Sequence, residues 1–249
     1  MLRILILAIG LLSVAAALAQ DKVKQQNASE VHQLFIQDQW DRGAELGDEK
    51  PGSKRVPLTG EQMQANDAAR RKRVREMMEQ KLLTTGNDFH DAAFIFQHGS
   101  EPEDYLLAHV LAMVAVSKGD ASARWIAAAT LDRYLQSTGE AQIFGTQYLT
   151  AAYKEYLRQK KIARETGYSP CHAGPGEMCP PTAQAASAPG AQKPASGDEY
   201  TLEPYTSALV PDSLRQEYCV GPVAEQKKNV EEFNQKKELS RQPIPGCGR

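Results

Sequence analysis

Beyond its first twenty residues, one of the most apolar parts of the chain is Asp91 to Ala112, "DAAFIFQHGSEPEDYLLAHVLA". Two apolar runs there are broken by Gln97-His98 and by His109. The surrounding segment, about Glu61 to Ala163, is rich in Ala, Leu, Gln, Arg and Glu and holds a single proline, Pro102. These residues favour helix, and the scarcity of proline permits long ones. No alternating valine-rich run and no flanked hairpin dipeptide predicts a strand.

Start and stop signals divide the segment. Thr59 with Gln62 forms a capping-box pattern for a helix from about Gly60 to Leu83, which Gly86 is placed to end. A shorter helix is predicted from about Asp88 to His98. Ser100 with Glu103 repeats the capping pattern, with Pro102 in the first turn, for a helix to Lys118 stopped by Gly119. Asp120 is expected to cap the next, to about Ser137, before Gly139. A last helix is expected from about Gln147 to Arg164, and an extra one from Glu30 to Arg42.

The fold class is therefore all-α: a compact bundle of about five or six antiparallel helices, then a disordered linker and a small irregular, disulfide-bearing tail. Ala108, Ala112 and Ala115 facing Ala123 and Ala127 have the small-residue spacing of a helical hairpin. One such pair is present, whereas a solenoid needs about three or more repeats. The predicted organisation is a signal peptide (1–19), a flexible N-terminus (20–30), the helical domain (31–166), a Pro/Ala/Ser/Gly-rich linker (167–197) and a polar cysteine-containing tail (198–249).

The leader reading rests on Arg3, the apolar run Ile4–Leu18 and the Ala17-Leu18-Ala19 cleavage pattern. It implies export, to the periplasm or the extracellular space, and no integral membrane segment after cleavage. All four cysteines, Cys171, Cys179, Cys219 and Cys247, lie in the last third. An even count in an exported chain predicts two disulfides. Three pairings are open, and the most local is Cys171–Cys179 with Cys219–Cys247. No C-x-x-C spacing supports zinc, and neither a metal nor a cofactor is expected. The net charge of −2 argues against nucleic acid as a partner. The basic run "ARRKRVRE", Ala69 to Glu76, reads as one solvated helix face.

Several polar residues sit where apolar ones are expected. His98 ends an apolar helix, where it can cap carbonyls, pack, or act as a ligand or acid–base group. His109 lies in an otherwise apolar row and reads as a satisfied core histidine. Asp132 and Arg133 lie about 100° apart on their helix, so each is expected to pair elsewhere. One option is a buried network of His98, Asp132 and Gln147. In "GEAQIFGTQY", Gly145 permits positive φ or close backbone approach. There Thr146 can cap the next helix, or Gln142, Thr146 and Gln147 can face a cleft.

Three segments, "LFIQDQWDR" (34–42), "AAFIFQHG" (92–99) and "ATLDRYLQSTGEAQIFGTQ" (129–147), resemble an uncharacterised bacterial helical family. Its D-Q-x-x-R, Q-H, D-R and (Y/F)-G-T-Q motifs recur in this order, over about Val31 to Tyr156. Phe144 stands where that pattern more often has tyrosine. The resemblance implies a shared site of Asp38, Gln39, Arg42, Gln97, His98, Asp132, Arg133, Gly145, Thr146 and Gln147, and implies no reaction.

No G-x-S-x-G elbow, H-E-x-x-H helix or phosphate-binding glycine loop is present. The reading this favours is a binding or interaction module with a polar interhelical cleft, taking a small molecule, a peptide or an envelope partner. The alternatives are a hydrolase-like enzyme using His98 with Asp132, and a structural cell-envelope protein.

Overall fold

The computed structural model describes residues 30–43, 58–167, 199–235 and Cys247. The leader, the N-terminal segment up to residue 29, the linker and Cys171 and Cys179 lie outside the described residues. Among the described residues, eight helices run in order: α1 (30–41), α2 (Gly60–Glu79), α3 (Gly86–Phe96), α4 (Pro102–Ser117), α5 (Ala123–Ser137), α6 (Ala151–Thr166), α7 (Asp212–Glu217) and α8 (Val223–Asn234). The two-residue strands β1 (Leu149–Thr150) and β2 (Tyr200–Thr201) pair antiparallel, Leu149 opposite Thr201. The protein is mostly helical, as its composition predicts. No described helix is long and apolar enough to cross a membrane.

The core forms where α3, α4 and α5 pack together. Ala108, Ala112 and Ala115 of α4 and Ala123 and Ala127 of α5 are fully buried, so these backbones approach closely. Phe96, Ile95, Met77, Val74, Val31 and Ile126 fill the same cluster. Phe35 of α1 packs edge-on to Phe94 at 5.4 Å, tying α1 to α3. His109 is half-buried and has a partner: its Nδ1–H donates to the Ala127 carbonyl at 2.9 Å.

Several helix ends differ from expectation. The Thr59–Gln62 capping box forms as predicted. However, α2 ends at Glu79, because Lys81 takes φ 57° and Lys81 and Leu82 N–H close back on Met78 and Met77. Gly86 opens α3 instead of closing α2: Thr85 and Asp88 form a second capping box. Ser100 does not cap α4. Glu101 occupies that position without a side-chain bond, and Asp104 accepts from the Ser100 N–H instead. Gly119 and Gly139, both at positive φ, stop α4 and α5 as predicted. The helix expected from Gln147, α6, starts at Ala151, and Thr150 caps it, not Thr146. Leu149 and Thr150 are extended instead, as β1, and pair with β2 from the tail.

The tail packs on the bundle. Arg215 of α7 is fully buried and donates to the Ile143 and Phe144 carbonyls. Gln142 N–H donates to the Pro204 carbonyl, and Thr206 N–H returns a bond to Gln142. Cys219 and Cys247 form a disulfide, one of the two bridges of the most local pairing.

Candidate functional site

The C-terminus of α3 is the hub of the polar residues. A helix end presents unsatisfied carbonyls and partial negative charge, which attract cations. Arg71 of α2 donates to the His98 carbonyl at 2.8 Å, and Arg133 of α5 donates to the Gln97 carbonyl at 2.7 Å. The backbone of the Gln97-His98 pair is thus held from two sides.

On one side lies an ion network. Asp38 is fully buried and accepts from Arg42, Gln39 and His98 Nδ1, the last at 3.0–3.1 Å. Arg42 continues to Asp67 at 2.6 Å. Arg70 joins Asp67 at 2.8 Å and Asp41 at 2.7 Å. The D-Q-x-x-R spacing explains the start of the chain: Asp38 and Arg42 are one helical turn apart. Its continuation corrects the solvated-face reading of 69–76. Arg70 is buried in this network, Arg73 pairs with Glu30, and Arg75 pairs with Asp104. Burial holds the His98 imidazole below its ordinary range; Asp38 pulls the other way, and the nearby guanidiniums of Arg42 and Arg133 add to the depression.

On the other side lies a loop hung from a carboxylate. Asp132 Oδ1 accepts from the Ile143 and Phe144 N–H groups, and Oδ2 from the Thr146 N–H and hydroxyl, all at 2.8–2.9 Å. Burial pushes this carboxyl up, and the four donors oppose that shift. Gly145, at φ +74°, lets the loop turn, and a Cβ there would lie 2.7 Å from the Tyr205 hydroxyl. The expected pairing of Arg133 and Asp132 with other groups is therefore observed. His98 takes its carboxylate from Asp38, and Asp132 spends its oxygens on its own loop.

A chain of bonds joins the two sides. The Thr146 hydroxyl accepts from Gln147 Nε2 at 3.1 Å, Gln147 Oε1 accepts from Arg133 Nε at 3.1 Å, and Arg133 reaches Gln97. Gln142, fully buried, locks the loop by bonding the Gln147 backbone at both its N–H and its carbonyl. All ten residues drawn from the family resemblance thus belong to one region.

Beside this region opens a cleft of about 350 Å³ between α4, α5, α6 and the β1–β2 pair. Of the ten residues, Arg133 and Gln147 line it. The others support the walls or lie in the ion network. The remaining lining includes Tyr105, Gln136, Tyr153 and Tyr200, which the sequence did not mark out as site residues. Gln136 was legible in part, since it follows Arg133 by three residues on the same helix face. Tyr200 was not, because only the tail's docking brings it there. Burial drives the Tyr105 phenol well above its usual range, and its hydroxyl donates to the Gly99 carbonyl at 2.8 Å.

Two features of the cleft are chemically unfinished. Gln136 is 5% exposed, and among the described residues its Nε2 has no hydrogen-bond partner. Arg133 donates to an amide oxygen and a carbonyl, and among the described residues it has no carboxylate partner. No group of three or more potential metal ligands occurs among the described residues. No family model, curated protein or solved structure matches the chain.

Proposed function

We propose that the chain is a non-catalytic binding module, and that its ligand site is the cleft lined by Arg133, Gln136 and Gln147. The supporting observation is the pair of unfinished groups. A buried amide donor left unpaired costs about 1–3 kcal/mol, which a ligand acceptor would recover. A guanidinium set among neutral groups at a cleft with aromatic walls is likewise ready for an incoming acceptor. The Asp132 loop and the buried ion network then serve to hold the walls. The hydrolase reading has less support, because His98 and Asp132 have different partners.

Export is part of the same proposal. The Cys219–Cys247 bridge fits an oxidising compartment, as does the leader pattern of residues 1–19. The test is a thermal-shift screen of the purified chain against a library of small metabolites. A ligand at 100 times its Kd stabilises by about 2.7 kcal/mol, which is about 5–11 °C for a domain of this size. The shift is expected to vanish in Arg133→Gln. A library with no stabilising compound, or a shift that Arg133→Gln keeps, would refute the proposal.

A further inference from the structure

We infer that the cleft takes a small carboxylate carrying a ring, its acid group on Arg133 and Gln136 and its ring against Tyr153 and Tyr200. This deepens the binding-module reading and rests on it. Arg133 is the single charged residue among those lining the cleft. Among the described residues its guanidinium bonds neutral oxygens, of Gln147 and Gln97, and has no carboxylate to neutralise its charge. The unpartnered Gln136 Nε2 lies on the same wall, one turn further along α5. Both groups are donors, so the missing ligand group is an acceptor. A carboxylate meets a guanidinium and an amide N–H with charge-assisted bonds, which are stronger than neutral ones.

The ring follows from the opposite composition of the rim. Tyr153 and Tyr200 line the cleft yet remain 37% and 36% exposed. Tyr200 contacts Phe233 at 5.3 Å and Tyr153 contacts Tyr156 at 5.7 Å, so each ring has an aromatic neighbour that helps to hold it. Partly exposed aromatic rings held in this way suit a ring partner. Size sets the limit. About 350 Å³ is at the lower end of the roughly 300–1,000 Å³ of ligand pockets, enough for one or two rings and not for a folded partner. The ring can be that of a sugar acid or of an aromatic acid, and the shared chemistry is the carboxylate beside it.

Calorimetric titration of the full chain at low salt separates these. The probes are glucuronate and 4-hydroxyphenylacetate, their neutral counterparts glucose and 4-hydroxyphenethyl alcohol, and acetate as a carboxylate without a ring. One of the two ring acids is expected to bind at least about tenfold more tightly than its neutral counterpart and than acetate. Which acid wins identifies the source of the ring. Arg133→Gln is expected to abolish the preference for acid over neutral compound. Because Arg133 also holds Gln97 and Gln147, the surface variant Tyr153→Ala serves as a second probe. It should weaken the ring acid several-fold at an unchanged unfolding midpoint. Equal binding of acid and neutral forms, or unchanged binding in Tyr153→Ala, overturns the inference. If neither acid binds while other library compounds stabilise the chain through Arg133, the ligand class is wrong and the cleft reading stands. If nothing binds, both fall.

Discussion

Replacing Asp132 with asparagine removes one of the two oxygens from which the 142–147 loop hangs. Each oxygen now serves two donors: the Ile143 and Phe144 N–H groups on Oδ1, the Thr146 N–H and hydroxyl on Oδ2. An amide keeps one acceptor and turns an NH2 toward the other pair of donors. Two bonds to a buried charged group are lost, at about 1.5–3 kcal/mol each, or about 3–6 kcal/mol together. At about 2–4 °C per kcal/mol, the midpoint should fall by about 6–24 °C. Thermal unfolding followed by far-UV circular dichroism measures this directly. A fall of that size requires an ionised Asp132, with the four donors outweighing the burial that pushes its carboxyl up. A midpoint within about 2 °C of wild type would show that the carboxyl is carried as the neutral acid, or that the loop does not depend on it. Either result would remove the physical basis of the D-R and G-T-Q motifs as a carboxylate and the loop it holds.

Other substitutions test the remaining parts. His98→Ala removes one of the donors to the buried Asp38 carboxylate and should cost about 1–3 kcal/mol, a fall of about 2–12 °C on the same assay. Because burial depresses the His98 pKa in the folded chain, the unfolded chain binds its proton first as pH drops. Stability from this group is therefore present above about pH 6.5 and lost below it; denaturant titrations should show that loss reduced in His98→Gln. Arg215→Met leaves the Ile143, Phe144 and Ser207 carbonyls without their buried donor, so limited proteolysis should cut within 199–235 faster than in wild type. Cys219→Ser with Cys247→Ser opens a bridge spanning 28 residues. Chain entropy gives about 3–4 kcal/mol for a loop of that length, to be read from the shift in denaturant midpoint.

What the sequence disclosed was local. The Thr59–Gln62 box, the positive-φ glycines Gly119 and Gly139 and the alanine spacing on α4 and α5 each act over a few residues, and each formed as expected. Errors arose where two local signals competed. Gly86 is a fair helix terminator, but Asp88 was the stronger cue, since it caps the start of α3 by accepting from Thr84 and Thr85. The solvated reading of 69–76 failed because Arg70 finds Asp41 on a helix 29 residues away. Candidate positions could be named from the motif resemblance, but their partners could not. Asp38 meets His98 across 60 residues, and Arg215 meets Phe144 across 71. Helical periodicity does not reach such distances, and the tail's composition gave no hint that it forms a wall of the cleft.

The central claim is that Arg133 and Gln136 await a ligand's acid group. The most direct measurement is a crystal structure of the chain soaked with whichever ring acid binds more tightly by calorimetry. The account predicts carboxylate oxygens within about 3 Å of the Arg133 guanidinium and of Gln136 Nε2, with the ring lying against Tyr153 or Tyr200. A ligand bound elsewhere, or a cleft holding the ring with its acid turned away from Arg133, would contradict it.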